Sequence, residues 1–222
     1  MASYNDTTVI IPIKDEPAVA DVARRTARAL PGCRIMVIYK HTGKDVKITG
    51  IPNLEVIRQV GSGKGTACVQ AAKHVKTDIM CFIDGDGTYD PVDLRKVISL
   101  VRDGADMALG DRMTNIDKKV MPLYIRLGNH VLTMTSNILY GLNIMDSQTG
   151  ARAIRTKAFR SLDLKETHFG IETEMNVKFG KSGYNIAETP IRYYVRVGET
   201  KQMKLIDGVK LLLTSFKFVG KK

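Results

Sequence analysis

Short runs of apolar, β-branched residues recur through the first half of the chain, each followed by residues whose apolar positions repeat at helical spacing. Residues 8–13 (TVIIPI) read as a buried strand, and residues 17–30 as a helix with Val19, Val22, Ala23, Ala27 and Leu30 on one face, ended by Pro31-Gly32. Further strands are expected at 34–39, 54–60, 79–83 and 106–109, with helices at about 64–75 and 91–103. Strand and crossover helix in alternation imply a single α/β domain built on a mostly parallel, doubly wound sheet flanked by helices. Such sheets bind ligands at the carboxyl ends of their strands, so the informative residues follow these runs.

The second half is less regular. Residues 121–142 carry a long helical pattern, 150–155 a short strand or loop, and 171–183 a helix closed by Gly183. Residues 186–196 (IAETPIRYYVR) read as an edge strand, because Pro190 has no N–H for a ladder. Residues 203–219 place Leu205, Ile206, Val209, Leu212, Leu213, Phe216 and Val219 at helical spacing, opposite Lys204, Lys210 and Lys217, with Leu211 and Phe218 off the main stripe. At 222 residues the chain suits one domain, here a main domain over 1–202 and a basic amphipathic helix over 203–222.

Charge is the unusual part of the composition. Thirty-four Lys and Arg against 23 Asp and Glu leave a formal balance of +11, which calls for a polyanionic partner: nucleic acid, nucleotide phosphates or an anionic membrane. Residues 201–222 hold six Lys and one Asp, so +5 of that excess lies in the final helix. The lysines lack interleaved aromatics or a nucleic-acid-binding motif, which argues against nucleic acid. Cys33, Cys68 and Cys81 form no CxxC pair and fit a reducing cytosol. The polar start MASYNDTT is unlike a signal peptide, and no apolar run is long enough to span a bilayer.

Asp84-Gly85-Asp86-Gly87-Thr88 follows the fourth strand pattern. Two hard oxygen ligands at i and i+2 beside glycines suit Mg²⁺ or Mn²⁺, whose remaining ligands are waters and substrate phosphates; the same residues also make a solvated Asp-Gly turn. Gly61-Ser62-Gly63-Lys64-Gly65 departs from the kinase phosphate loop, which needs GxxxxGK[ST] after the first strand, but it leaves a lysine at a helix start, beside which a diphosphate can sit. Arg112, Arg126, Arg152, Arg192 and Arg196 follow strands or polar bends, where converging guanidiniums hold phosphoryl groups and isolated ones are surface residues. His41, His74, His130 and His168 have neither metal-ligand spacing nor a nucleophile partner.

VIIPIKDE (9–16), GKGTACVQAA (63–72), DIMCFIDGDGTYDP (78–91), GDR (110–112), a helix with Arg126 and Asn137, DSQTGARAIR (146–155), the Glu-bearing helix from Ile171 and KSGYNIAETPIRYYVRVGETK (181–201) occur in this order. The ordered set, spanning about residues 8–219, resembles family 2 glycosyltransferases of the GT-A fold, in the branch similar to dolichol-phosphate mannosyltransferases and polyprenyl-phosphate glycosyltransferases. The resemblance implies that Asp84 and Asp86 hold Mg²⁺ or Mn²⁺ and the donor diphosphate. Pro12 and Glu16 would lie near the donor nucleoside with Lys64 beside it, and Asp146 and Gln148 would shape the sugar pocket. Arg112 and Arg126 would grip the acceptor phosphate, while Arg196 and Lys201 lie on a loop that closes over the donor.

Two segments depart from the family. Lys14 and Asp15 replace the aromatic and amide of Pro-x-Tyr-Asn-Glu after the first strand. The second strand, which in the family ends in an Asp pair and a Ser, runs Ile38-Tyr39-Lys40-His41-Thr42, so the donor nucleoside meets an aromatic and a cation. The donor, GDP-mannose or a UDP-sugar, is therefore left open. The expected activity is inverting transfer of that sugar to polyprenyl or dolichyl phosphate by a peripheral protein at the cytoplasmic membrane face, alone, as a homo-oligomer or with a membrane-protein partner. A phosphate acceptor is already ionised at neutral pH and needs no general base; Glu172 or Glu174 could serve a hydroxyl acceptor. A soluble or glycan acceptor, or a non-catalytic nucleotide-binding role in a membrane complex, is the alternative.

Overall fold

A computed structural model of the chain describes residues 3–43, 45–117, 119–198 and 205–219. Its centre is β1 (Thr7–Ile13), buried at every position except the half-buried Pro12, as a strand covered on both faces must be. The period of two sends Val9, Ile11 and Ile13 to one side of the sheet and Ile10 to the other. On the first side they meet α1 (Val19–Ala29) and α3 (Leu94–Arg102), through Val22, Ala23, Val97 and Val101. On the second they meet α2 (Lys64–His74), α5 (Thr156–Ser161) and α6 (Ile171–Lys181), through Ala67, Ala71, Phe159 and Phe179. Each aliphatic side chain fully buried in these layers stabilises the fold by about 1.5–3 kcal/mol.

The remaining strands are β2 (Arg34–Tyr39), β3 (Leu54–Arg58), β4 (Ile79–Phe82), β5 (Met107–Asp111), β6 (Arg152–Arg155) and β7 (Ile186–Pro190). Their order across one sheet is β3-β2-β1-β4-β6-β5-β7, and β6 runs antiparallel to both of its neighbours while the other pairs are parallel. The GT-A-type, mostly parallel sheet expected from the sequence is the one observed. What the sequence left open was 150–155, which becomes a central strand. Arg152 sits there fully buried because its guanidinium donates to the Thr149 and Ser147 carbonyls and to Asn176 Oδ1.

Two expected strands are too long. The one at 54–60 stops at Arg58, where Gly61 (φ 85°) and Gly63 (φ 96°) turn the chain into α2. The one at 186–196 stops at Pro190: beyond it Arg192 N–H donates to Asp93 Oδ2 (2.9 Å), Tyr194 N–H to the Thr88 carbonyl (2.8 Å) and Val197 N–H to the Asp86 carbonyl (3.0 Å). Residues 191–197 are thus fastened to the segment that follows β4. The edge position expected from Pro190 holds, since β7 ends the sheet.

The long helical pattern forms α4 (Leu123–Tyr140), closed by the left-handed Gly141. The last described helix, α7 (Leu205–Phe216), packs on α4 and α6, and the Tyr140 hydroxyl donates to the Ser215 carbonyl. Leu211 is buried there while Val209, Leu213 and Phe216 are exposed, so the helix presents to the domain a side that its sequence stripe did not single out.

Candidate active site

Asp84 lies two residues past the end of β4, at the carboxyl edge where β1 and β4 run side by side. Its Oδ1 accepts from Lys64 Nζ at 2.6 Å, and the same ammonium stands 2.7 Å from Glu172 Oε1. Burial would raise the Asp84 carboxyl, but the Lys64 charge and hydrogen bond, with Arg112 and Arg196 nearby, hold it below the usual carboxylate range. Burial opposes the Lys64 charge in the same way, and Asp84 and Glu172 overcome it, so the ammonium stays protonated. Gly150 is required here, since a Cβ on it would fall 2.3 Å from Asp84 Oδ2.

The glycines around Lys64 have a different cause from a phosphate cradle. A Cβ on Gly63 would meet the Thr167 carbonyl at 2.1 Å, and one on Gly65 the Glu166 carbonyl at 2.1 Å. The 166–168 segment therefore crosses directly over the start of α2, and Thr66 N–H donates to the Thr167 carbonyl at 3.1 Å. What faces the site is the Lys64 side chain.

Asp86 Oδ1 accepts from the Thr88 N–H (3.1 Å) and hydroxyl (2.7 Å), and Oδ2 lies 3.1 Å from Arg196 Nη1. Arg196 also donates through Nη2 to Glu16 Oε1 at 2.5 Å. One guanidinium thus ties the loop after β7 to the loops after β1 and β4. Lys201, assigned to the same loop, lies outside the described residues.

Arg112, just past β5, is committed to a carboxylate. Its Nε and Nη2 donate to Asp146 Oδ2 and Oδ1 at 2.6 and 2.9 Å, its backbone N–H to Oδ2 at 3.1 Å, and Asn129 Nδ2 to Oδ1 at 3.0 Å. The Asp146 side chain is wholly buried, and the Tyr193 ring lies 5.1 Å from the guanidinium carbon. The two residues assigned separately from the resemblance, Arg112 to an acceptor phosphate and Asp146 to a sugar pocket, form one ion pair. Arg126 is half-buried one helical turn before Asn129 and has no ion-pair partner among the described residues. Gln148 Nε2 donates to Ser147 Oγ and Thr173 Oγ1, at 3.0 and 3.2 Å.

Beyond the ends of β1 and β2 opens a cavity of about 590 Å³ whose lining includes Ile13, Asp15, Glu16, Tyr39, Lys40 and Asp45. Glu16 is in its lining, whereas Pro12 lies one residue inside the strand and is not part of the wall. Of the two possible bases, Glu174 is fully buried and accepts from the Lys165 and Glu166 N–H groups and from Lys178, which makes it a support for the 165–166 loop. Glu172 is held by Lys64, and its Oε2 has no hydrogen-bond partner among the described residues.

Sequence reasoning missed Glu188 and Tyr89. The Tyr89 hydroxyl accepts from Gly150 N–H at 2.8 Å, and Glu188 accepts from the N–H groups of Met145 (2.6 Å) and Asp146 (3.2 Å). Both anchor the 145–150 loop from outside it, and no local pattern in the sequence signals such a contact. Burial, with Asp111 and Asp146 adding to it against the two N–H donors, pushes the Glu188 carboxyl up to about 7. Between the ordinary value of 4.5 and about 7 the folded chain binds the extra proton, so its stability falls as pH rises through that window. Glu188→Gln keeps an acceptor for the loop and removes the titration. The variant should gain on the order of 2 kcal/mol over the parent across that window, a figure reduced for the group's partial exposure. Parallel denaturation curves for the two proteins at both ends of the window would refute this.

The chain matches Glycosyl transferase family 2 over residues 41–163, more than half of its 222 residues. It is 30% identical over 209 residues to the low-salt glycan biosynthesis hexosyltransferase of Haloferax volcanii, covering 90% of this chain and 51% of that protein. It is 29% identical over 211 residues to the dolichyl-phosphate hexose transferase of the same organism, covering 94% of this chain and 92% of that one. The chain thus spans about half the length of some curated relatives and nearly all of others. The solved structure of glucosyl-3-phosphoglycerate synthase from Mycobacterium tuberculosis, in complex with Mn²⁺, uridine diphosphate and glucosyl-3-phosphoglycerate, is similar in fold, with a TM-score of 0.73 at 17% identity over 96% of this chain and 80% of that one. By its sequence match the chain belongs to glycosyl transferase family 2.

Proposed function

We propose that the chain is an inverting, metal-dependent glycosyltransferase that moves a sugar from GDP-mannose or a UDP-sugar to polyprenyl or dolichyl phosphate. The observation that carries this is the pairing of Asp84 and Asp86 with the cations Lys64 and Arg196 at the carboxyl end of β4, joined through Arg196 and Glu16 to the cavity beyond β1 and β2. A nucleotide laid along that edge has its nucleoside in the cavity and its diphosphate against the acid–cation cluster. The name of the Haloferax volcanii dolichyl-phosphate hexose transferase supports the acceptor class.

The donor set fits a divalent ion. Asp84 is held ionised, and Asp86 two residues on supplies a second carboxylate, so these two would hold Mg²⁺ or Mn²⁺, with waters and phosphate oxygens as the remaining ligands. Held by Asp84 and Asp86, such an ion would supply positive charge against the departing diphosphate. Lys64 and Arg196 add fixed positive charge at the same place and need no reorganisation during the reaction. The buried Arg112–Asp146 pair fixes the 145–150 loop against β5, and the half-buried Arg126 of α4, which has no ion-pair partner among the described residues, is a cation available to an acceptor phosphate. An ionised phosphate oxygen attacks the anomeric carbon opposite the leaving group, so configuration inverts and no proton has to be removed. The commitment of Glu174 to the 165–166 loop agrees with a reaction that uses no general base.

The proposed acceptor lies in a membrane, and one face of the molecule suits that surface. Leu123, Leu127, Val131, Met134 and Ile138 form an exposed stripe along α4, and Val209, Leu213 and Phe216 are exposed on α7, which packs against α4. No helix among the described residues is long and apolar enough to cross a bilayer. An apolar face with the exposed Lys210 on α7 and Lys217 just past its end suits the interface of an anionic membrane, each lysine near the surface contributing about 1 kcal/mol.

Incubation with radiolabelled nucleotide-sugar, Mg²⁺ or Mn²⁺ and polyprenyl phosphate in anionic vesicles should place label in the organic phase and protein in the floated fraction. Label confined to the aqueous phase would point to the soluble or glycan acceptor. No transfer with any donor, despite nucleotide binding, would point to a non-catalytic partner.

A further inference from the structure

One continuous stretch, residues 165–172, links the start of α2 to α7. The Glu166 and Thr167 carbonyls lie where Cβ atoms on Gly65 and Gly63 would fall, 2.1 Å away in each case, and Thr66 N–H donates to the Thr167 carbonyl at 3.1 Å. The stretch then enters α6, whose Glu172 Oε1 stands 2.7 Å from Lys64 Nζ. The backbone on both sides of Lys64 is thus held by residues 166–167 and its ammonium by Glu172. Glu174 accepts from the Lys165 and Glu166 N–H groups and fixes the beginning of the stretch.

The same residues rest on α7. Glu166 Oε1 lies 2.5 Å from Nζ of Lys217, just past the end of that helix, and a Cβ on Gly170 would come within 3.3 Å of Thr214 Cγ2. With 3.6 residues per turn, the exposed Lys210 falls between Thr214 and the exposed Leu213 on the helix surface. The stretch therefore runs along the cationic border of the apolar face of α7. Phe169 stands there 67% exposed, with Thr167 and His168 exposed beside it. An aromatic ring held in water next to an apolar helix face and a lysine suits the boundary between acyl chains and anionic headgroups.

We propose that residues 165–170 couple contact with an anionic lipid surface to the position of Lys64, so that the surface switches sugar transfer on. This inference rests on the glycosyltransferase reading above and adds the regulation of that same site. In the seated state, the one observed, the segment lies on the start of α2 and Phe169 faces outward. In the lifted state the ring turns away from water, the bond from Thr66 N–H to the Thr167 carbonyl is lost, and Lys64 loses its bracket. A surface shifts such an equilibrium only by its differential affinity for the two states. Phe169 supplies that difference, because it reaches the bilayer only when the segment is seated. Glu166 and Lys217 keep the segment in step with α7 and act as positioning residues, without touching the substrate. The effect falls on kcat, since Lys64 places fixed charge against the departing diphosphate.

The test uses the full chain, a short water-soluble prenyl phosphate as acceptor, and vesicles of phosphatidylcholine and phosphatidylglycerol that carry no acceptor. With both substrates saturating, the vesicles should raise kcat about ten-fold, within the usual range of coupling between two sites. They should also slow hydrogen exchange of the Thr66 amide, which reports seating directly. Phe169→Ser should keep the rate measured without vesicles and still float with them through α4 and α7, yet lose most of the activation and of the added protection. Glu166→Gln, which weakens the tie to Lys217, should also lose activation, whereas Lys217→Arg should keep it. A lower KM for the acceptor at unchanged kcat would mean that the vesicles only concentrate it. That result, unchanged exchange at Thr66, or full activation of Phe169→Ser overturns this inference and leaves the transfer reading standing. Absence of transfer from every donor, with and without vesicles, overturns both.

Discussion

Asp86→Asn should lower sugar transfer by about 10²–10³-fold, the loss seen when one preorganised electrostatic partner of a developing charge is removed. The variant should keep its fold. Asp86 Oδ1 accepts from Thr88 N–H and hydroxyl, and an asparagine carbonyl can accept both in the same place. What changes is Oδ2, which faces Arg196: an amide there neither balances the guanidinium nor serves a divalent ion. Asp84→Asn should act similarly on turnover but through a different neighbour, because Lys64 would then be left with Glu172 alone. The check is initial rate at saturating metal, alongside thermal unfolding of each variant. Turnover within about three-fold of wild type for a folded Asp86→Asn protein, a difference of under 1 kcal/mol, would remove this carboxylate from the mechanism.

How much of this was legible beforehand follows from the range of the interactions. The strands and helices of the first half were readable because each is a local pattern: Val9, Ile11 and Ile13 face one layer and Ile10 the other through strand geometry alone. The Asp84–Asp86 pair was readable for the same reason, being two residues apart at a strand end. The pairing of Arg112 with Asp146 spans 34 residues, and that of Arg196 with Glu16 spans 180, so their residue types were in view but their partners were not. The glycines near Lys64 depart from a phosphate loop in sequence, and their reason was out of view: the 166–168 segment crosses the helix start at a distance where a Cβ cannot fit. The antiparallel β6 was hidden by its own sequence, since Arg152 and Arg155 make half of a four-residue strand and the buried one is satisfied by carbonyls on neighbouring loops.

The Arg112–Asp146 pair should be the most costly ionic contact in the molecule to break. Two charges in a dry site attract strongly, but removing both from water offsets most of that gain, so the intact pair adds little net stability. Removing one partner is different, because the other is left buried and uncompensated. Asp146→Ala strands a guanidinium whose Nε and Nη2 lose their acceptors, and it releases Asn129 as well. A cost of about 3–5 kcal/mol is expected, a large part of the 5–15 kcal/mol that holds a typical domain together. Arg112→Lys should recover only part of what Arg112→Met loses, since an ammonium cannot make the parallel bonds to both carboxylate oxygens. The double variant Arg112→Met with Asp146→Leu should be closer to wild type than either single change, which a double-mutant cycle in urea would read directly. The pH dependence has a definite sign. Burial raises the Asp146 carboxyl, but Arg112 and the hydrogen bonds to it prevail and hold it below its ordinary value of 3.8. The stability it contributes is therefore complete above that value and is lost as pH falls through the lower folded-state value. Single substitutions that each cost under about 1 kcal/mol, the range of an exposed ion pair, would show instead that water reaches the pair.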